Sequence, residues 1–234
     1  MNESPLLLQT AFSVGPVPVT YAVVTTWGVM AFLVVGSWLM TRRLSSDAGS
    51  AQTVLEVVVT TVDAQIESTL QRDPAPYRTL VGTLFLFILA ANWSSIVPNV
   101  EPPTAHLETD AALAAAVFVA TIYHGIRSNG PLGYLRTFAE PSWVMIPLNL
   151  VEQITRTFSL MVRLFGNVMS GVFVITIVLS LAGLLVPIPL MALDLLTGAV
   201  QAYIFAVLAT VFIAAAVGEG TRRDGAAETG KETD

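Results

Sequence analysis

Residues 19–40 contain no charged side chain, and four further stretches of the chain are nearly as apolar. A helix crosses the roughly 30 Å hydrocarbon layer with about 20 mostly apolar residues. The runs predict spanning helices over 19–40, 79–98, 106–126, 146–184 and 189–217. Trp93 stands near one end of the second as an interface anchor. Val186-Pro187-Ile188-Pro189 separates the last two, because prolines there stop one helix and favour a turn. Composition agrees: 54% of residues are hydrophobic and 12% charged, against about a quarter charged in ordinary soluble domains. That excludes a soluble globular chain and a disordered one. A net charge of −6 leaves no basic footprint for nucleic acid. Zero cysteines exclude a thiolate metal site and a cysteine nucleophile. The fold class is therefore an all-α polytopic membrane protein, with a single membrane domain over 1–218.

The last two apolar stretches exceed what an upright span needs. About 39 and 29 residues make roughly 58 and 43 Å of helix at about 1.5 Å per residue. Tilting relieves such mismatch, so the expectation is a strongly tilted C-terminal hairpin.

Basic residues orient the chain. Arg42, Arg43, Arg72, Arg78, Arg127, Arg136, Arg222, Arg223 and Lys231 all fall on one side of a five-span topology. The positive-inside rule then puts the N-terminus outside and the C-terminus in the cytoplasm. The first 19 residues lack the basic n-region of a signal peptide. In the loop after span one, Val54, Val58, Val62, Ile66 and Leu70 recur every four residues. They predict an amphipathic interfacial helix over about 51–70, lying on the membrane, on a partner, or on the protein's own bundle. Residues 219–234 are polar and rich in Gly and Thr, and read as a mobile cytoplasmic tail.

Two cations remain, and both lie inside span four. At about 100° per residue, Glu152, Arg156, Ser159, Arg163, Asn167 and Ser170 share one helix face. Glu152 precedes Arg156 by four positions, the favourable order for a helical ion pair. Arg163 has no acid three or four residues away. An arginine deep in a bilayer costs at least ~2.5 kcal/mol, so its partner must come from elsewhere in the chain, from another subunit or from water. Gly166 and Ser170 form a small-xxx-small spacing that allows another helix to approach closely. The alternative role for Arg163 is to lock the bundle through backbone carbonyls. In span five, Asp194, Thr197, Gly198 and Gln201 share a face. Asp194 follows the proline turn, and His106, Glu108 and Asp110 stand at the same outer end of span three. Together they could line an acidic, hydrated path; for Glu108 and Asp110 the competing reading is a solvated loop and a helix cap. His124, just before Arg127, reads as an interface residue. No residue group has metal-ligand or hydrolase spacing, and no cofactor is implied.

Ser159-Leu-Met-Val-Arg163-Leu-Phe-Gly166-Asn167, followed by Ser170-Gly171, resembles the signature of subunit a of the F-type ATP synthase. Gln201-Ala-Tyr-Ile-Phe-Ala-Val-Leu is similar to that family's second signature, and Pro147-Leu-Asn-Leu-Val-Glu152 and Pro103-Thr-Ala also fit. The resemblance covers about residues 14–217. It implies a stator subunit of a bacterial plasma (inner) membrane complex, with c-ring proteolipids, peripheral-stalk b subunits and membrane lipid as partners. Its cargo would be H+ or Na+. It implies that Arg163 faces the c-ring carboxylates, contacted through Gly166 and Ser159. It also implies that Asn167 and Gln201 are polar neighbours of Arg163 and that Glu152 stands on the cytoplasmic path. The chain departs from the pattern at Val172, where many members carry Glu. Asp194 and His106 stand where members carry other titratable residues, so the outer path is expected to be wired through them. A stand-alone channel or secondary transporter is the competing class, and an assembly subunit of another complex is a third.

Overall fold

The computed structural model describes residues 10–14, 17–42, 50–97, 100–139, 143, 145–182 and 186–229. Arg43, Lys231 and the last residues of the polar tail lie outside them.

Nearly all of the described chain is helical. A short antiparallel hairpin, β1 (Thr10–Val14) and β2 (Val17–Thr20), precedes the first helix. The β-branched residues of Val17-Pro-Val-Thr20 favour extended backbone there. Then come α1 (Tyr21–Thr41), α2 (Ser50–Leu70), α3 (Ala75–Trp93), α4 (Leu107–Ala139), α5 (Met145–Ala182) and α6 (Pro187–Thr229). Short 3-10 turns at Ser94–Ile96 and Pro103–Ala105 connect α3 to α4. Five helices are long and apolar enough to cross a membrane: all but α2. Helix α6 starts at Pro187, where a missing N–H costs nothing in the first turn.

Two lengths differ from the sequence reading. Helix α4 continues past residue 126 to Ala139, through a break at Gly130 (φ 71°, ψ 163°) just before Pro131. Only glycine adopts that backbone without large strain, so the Gly-Pro pair redirects the helix instead of ending it. Helix α6 likewise runs past the expected end of span five at 217, to Thr229. Extending a formed helix gains one hydrogen bond per residue fixed and needs no new nucleus.

Helix α6 is the hub and touches α2, α3, α4 and α5. The main core joins Leu84 and Ile88 of α3, Val117 of α4, Leu160, Leu164 and Val168 of α5, and Phe205 of α6. Ala114, Ala202 and Ala209 complete it, and their small size lets the neighbouring helices approach closely. A second cluster docks α2: Ile66 is fully buried against Tyr77 and Val81 of α3 and Ala206, Ile213 and Val217 of α6. Among the three settings open to α2, the chain's own bundle takes its C-terminal half. Arg78 and Asp63 close the joint from outside at 2.5 Å, and Tyr203 Oη donates to Gln65 Oε1 at 2.7 Å. Helix α1 is peripheral, with only Ala22 and Val29 buried.

Candidate functional site

Helix α5 divides sharply into faces. Leu160, Leu164 and Val168, four residues apart, enter the core. Arg163 stands one residue before Leu164, about 100° around the helix from that row, and therefore emerges beside the core instead of inside it. Glu152, Arg156, Ser159 and Arg163 line one open groove of about 530 Å³, walled on the other side by Leu208 and Phe212 of α6. Glu152 and Arg156 form the expected i,i+4 ion pair. The Arg156 guanidinium also lies 5.6 Å from the centroid of the Phe212 ring, so this cation is held twice. Arg163 is exposed. Among the described residues it has neither an ion-pair nor a hydrogen-bond partner. The neighbouring Gly166 is exposed, and nothing lies within 4 Å of where its Cβ would stand. Ser170 is also exposed, and its hydroxyl donates back to Asn167 O at 2.8 Å.

Two contacts fix how α5 and α6 lie against each other. Phe212 meets Arg156, and Asp194 meets Gly171, where a Cβ would overlap the carboxylate. Interpolation along the antiparallel pair puts Gln201 opposite residues 164–167, within a turn of Arg163 and Asn167. Gln201 is buried, 7% exposed, and its Nε2 has no hydrogen-bond partner among the described residues. It does not bond to Arg163 in this arrangement.

The other end of the hairpin carries the second polar group. Asp194 is half-buried, and its carbonyl accepts from Thr197 Oγ1 at 3.0 Å. One turn further along α6, Gly198 O accepts from Asn92 Nδ2 at 2.9 Å. The other side of that amide, Asn92 Oδ1, accepts from Thr104 Oγ1 at 2.7 Å. Trp93 Nε1 donates to Leu195 O at 3.2 Å. These bonds tie the end of α3 and the Pro103–Ala105 turn to the first turns of α6. His106 follows that turn and faces Glu101 at 3.4 Å. Asp110 is fully buried, and neither carboxylate oxygen has a partner among the described residues. Burial corrects the readings of Asp110 as a solvated loop group or a cap: the carboxyl is turned inward. Glu108 is exposed. No hydrogen bond or ion pair among the described residues joins Asp194 directly to His106, Glu108 or Asp110.

The sequence reading missed Asn92, Thr104 and Glu101. Asn92 carries a signal, as an amide in an otherwise apolar span. Thr104 carries almost none, because its importance depends on the fold bringing Asn92 to it.

Two sites are thus offset along one helical hairpin: an exposed cation in an open groove, and a buried polar cluster toward the proline turn. The sequence profile of the family described as ATP synthase A chain matches residues 23–214. The chain is 55% identical over 218 residues to ATP synthase subunit a 2 of a Bradyrhizobium species, covering 93% of this chain and 98% of that one. It is 48% identical to ATP synthase subunit a 1 of Chlorobaculum parvum, over 92% of this chain and 94% of the relative. It is 50% identical to ATP synthase subunit a of Albidiferax ferrireducens, over 83% and 85%. Five apolar helices and these matches make it a multi-pass membrane protein of the FO sector, serving ion transport in ATP synthesis, and the chain belongs to the ATP synthase A chain family.

Proposed function

We propose that this chain is the non-catalytic stator subunit that couples ion flow to rotation of a c-ring, with Arg163 as the coupling residue. The observation that carries the reading is the exposure of Arg163 on an open groove with no acid paired to it among the described residues. A cation in low dielectric favours the ionised form of a carboxylate that comes near it. The ring's carboxylates are the partners this geometry leaves room for, and Ser159 and Gly166 keep that face shallow. Arginine does not lose its proton in proteins, so Arg163 relays nothing. It makes a protonated carboxylate release its ion, and it blocks leakage between two offset paths.

The outer path runs past Asp194, Asp110, His106 and Glu108, with Asn92 and Thr104 as its hydrogen-bonding walls. The inner path runs past Glu152. Asn167, Ser170 and Gln201 stand between, the last with an amide N–H free to donate to a carboxylate. An ion then crosses only by riding the ring around. Helices of 38 and 43 residues exceed the membrane thickness and lie tilted across it, giving the ring a long flank. The transported ion is H+, with Na+ as the other candidate. The membrane is the bacterial inner membrane, with the N-terminus outside, and peripheral-stalk b subunits hold the chain against torque.

The test is ATP-driven proton uptake into inverted vesicles. Arg163→Ala abolishes uptake while the complex still assembles, and Val172→Ala leaves it nearly unchanged. Equal uptake by wild type and Arg163→Ala would falsify the coupling role. ATP-driven sodium uptake that is lost in the same variant would keep the role and change the ion.

A further inference from the structure

A second cavity, of about 800 Å³, opens between the start of α3 and the segment of α4 around residue 127, away from the α5–α6 groove. Its walls are two-natured. Tyr77, Leu80 and Tyr123 supply apolar surface, and His124 and Arg127 supply polar surface. His124 is held between the tyrosines, 4.8 Å from the Tyr77 ring and 5.3 Å from the Tyr123 ring. Arg127 Nη1 donates to Tyr123 Oη at 3.2 Å, which holds the guanidinium beside another residue of the cavity wall. No carboxylate pairs with Arg127 among the described residues. The nearby acids are engaged elsewhere: Asp63 with Arg78, and Asp73 with the Ala75 amide at 3.0 Å.

The hydroxyls point the same way. Helical threonines elsewhere, such as Thr26, Thr155 and Thr210, donate to the carbonyl four residues back. Thr79, Thr83 and Ser128 line this cavity, and among the described residues they make no such bond. The depth also fits. Arg127 lies about 20 residues after the start of α4, where a span of about 20 residues leaves the hydrocarbon. Tyrosines favour that level. A basic pocket between membrane helices at the headgroup level, with apolar walls below, suits an anionic phospholipid.

We propose that this cavity is a binding site for an anionic phospholipid, whose phosphate sits on Arg127 and the Thr79, Thr83 and Ser128 hydroxyls and whose acyl chains lie along Leu80 and Tyr77. The site is independent of the coupling role of Arg163.

The experiment uses the full-length chain in nanodiscs of phosphatidylcholine and phosphatidylglycerol, released and weighed by native mass spectrometry. Wild type retains phosphatidylglycerol in excess of its share in the disc. Arg127→Gln lowers that excess about fivefold, as expected for one interfacial cation, and Arg127→Lys restores most of it. The Thr79→Val, Thr83→Val double variant, which keeps the charge, also lowers it. Unchanged helicity by circular dichroism shows that each variant is folded. Equal enrichment in wild type and folded Arg127→Gln overturns the proposal. Displacement of the lipid by millimolar inorganic phosphate assigns the pocket to a free phosphate and overturns the lipid reading.

Discussion

The closest approach to a glycine in the hairpin, among the described residues, is that of Asp194 to Gly171. A methyl group on Gly171 would occupy the space of the Asp194 carboxylate. Gly171→Ala therefore forces that side chain out of its seat, at of order 0.5–1.5 kcal/mol for a displaced rotamer. The expected result is a small fall in melting temperature and a larger fall in ATP-driven proton uptake. Asp194→Ser on the same background recovers the stability and not the uptake. Unchanged uptake by Gly171→Ala would remove Asp194 from the ion path. Residue types and spacing alone made Arg163, Glu152 and Asp194 legible, because charges inside apolar runs are costly enough to mark themselves. The spacing also foretold the Glu152–Arg156 pair, which is local to one helix. Asn92 and Thr104 were not legible as a unit, since their bond spans 12 positions of chain and a turn.

Elements were read well where periodicity or length fixes them. The apolar spans needed only a count of residues, and the four-residue repeat of α2 gave its helix and its apolar stripe. What covers that stripe was left open, because an apolar face is equally satisfied by lipid, a partner or its own bundle. Packing decided it: Ile66 is fully buried between α3 and α6. Ile66→Ala should cost about 2–5 kcal/mol, and amide hydrogen exchange across the second half of α2 should speed up accordingly. Val57→Ala, at an exposed position of the same helix, should stay within about 0.5 kcal/mol. Equal exchange in the two variants would mean that α2 is not anchored by this contact. The continuation of α4 past Gly130 was missed for a related reason. The apolar run ends near residue 126, and polar residues beyond it carry no length signal for a helix that continues to Ala139.

At the scale of the molecule, the proposed coupling requires two paths that open on opposite sides and never join. The natural chain has no cysteine, so single cysteine variants report without background. In the assembled complex, Glu152→Cys should react with a membrane-impermeant maleimide only from the cytoplasmic side, and Asp194→Cys only from the outer side. Reaction of both from one face would sink the two-path arrangement. The sequence by itself determined that the chain lives in lipid, how many times it crosses, and which residues are too polar to be there without a reason. These are matters of transfer free energy and helical period, which act residue by residue. Only the tertiary structure decided which neighbours those residues have: α6 at the hub, Arg163 in an open groove and unpaired among the described residues, Asp110 turned inward, and the Arg127 cavity between α3 and α4. Such pairings depend on close packing between helices far apart in the chain, which no local pattern encodes.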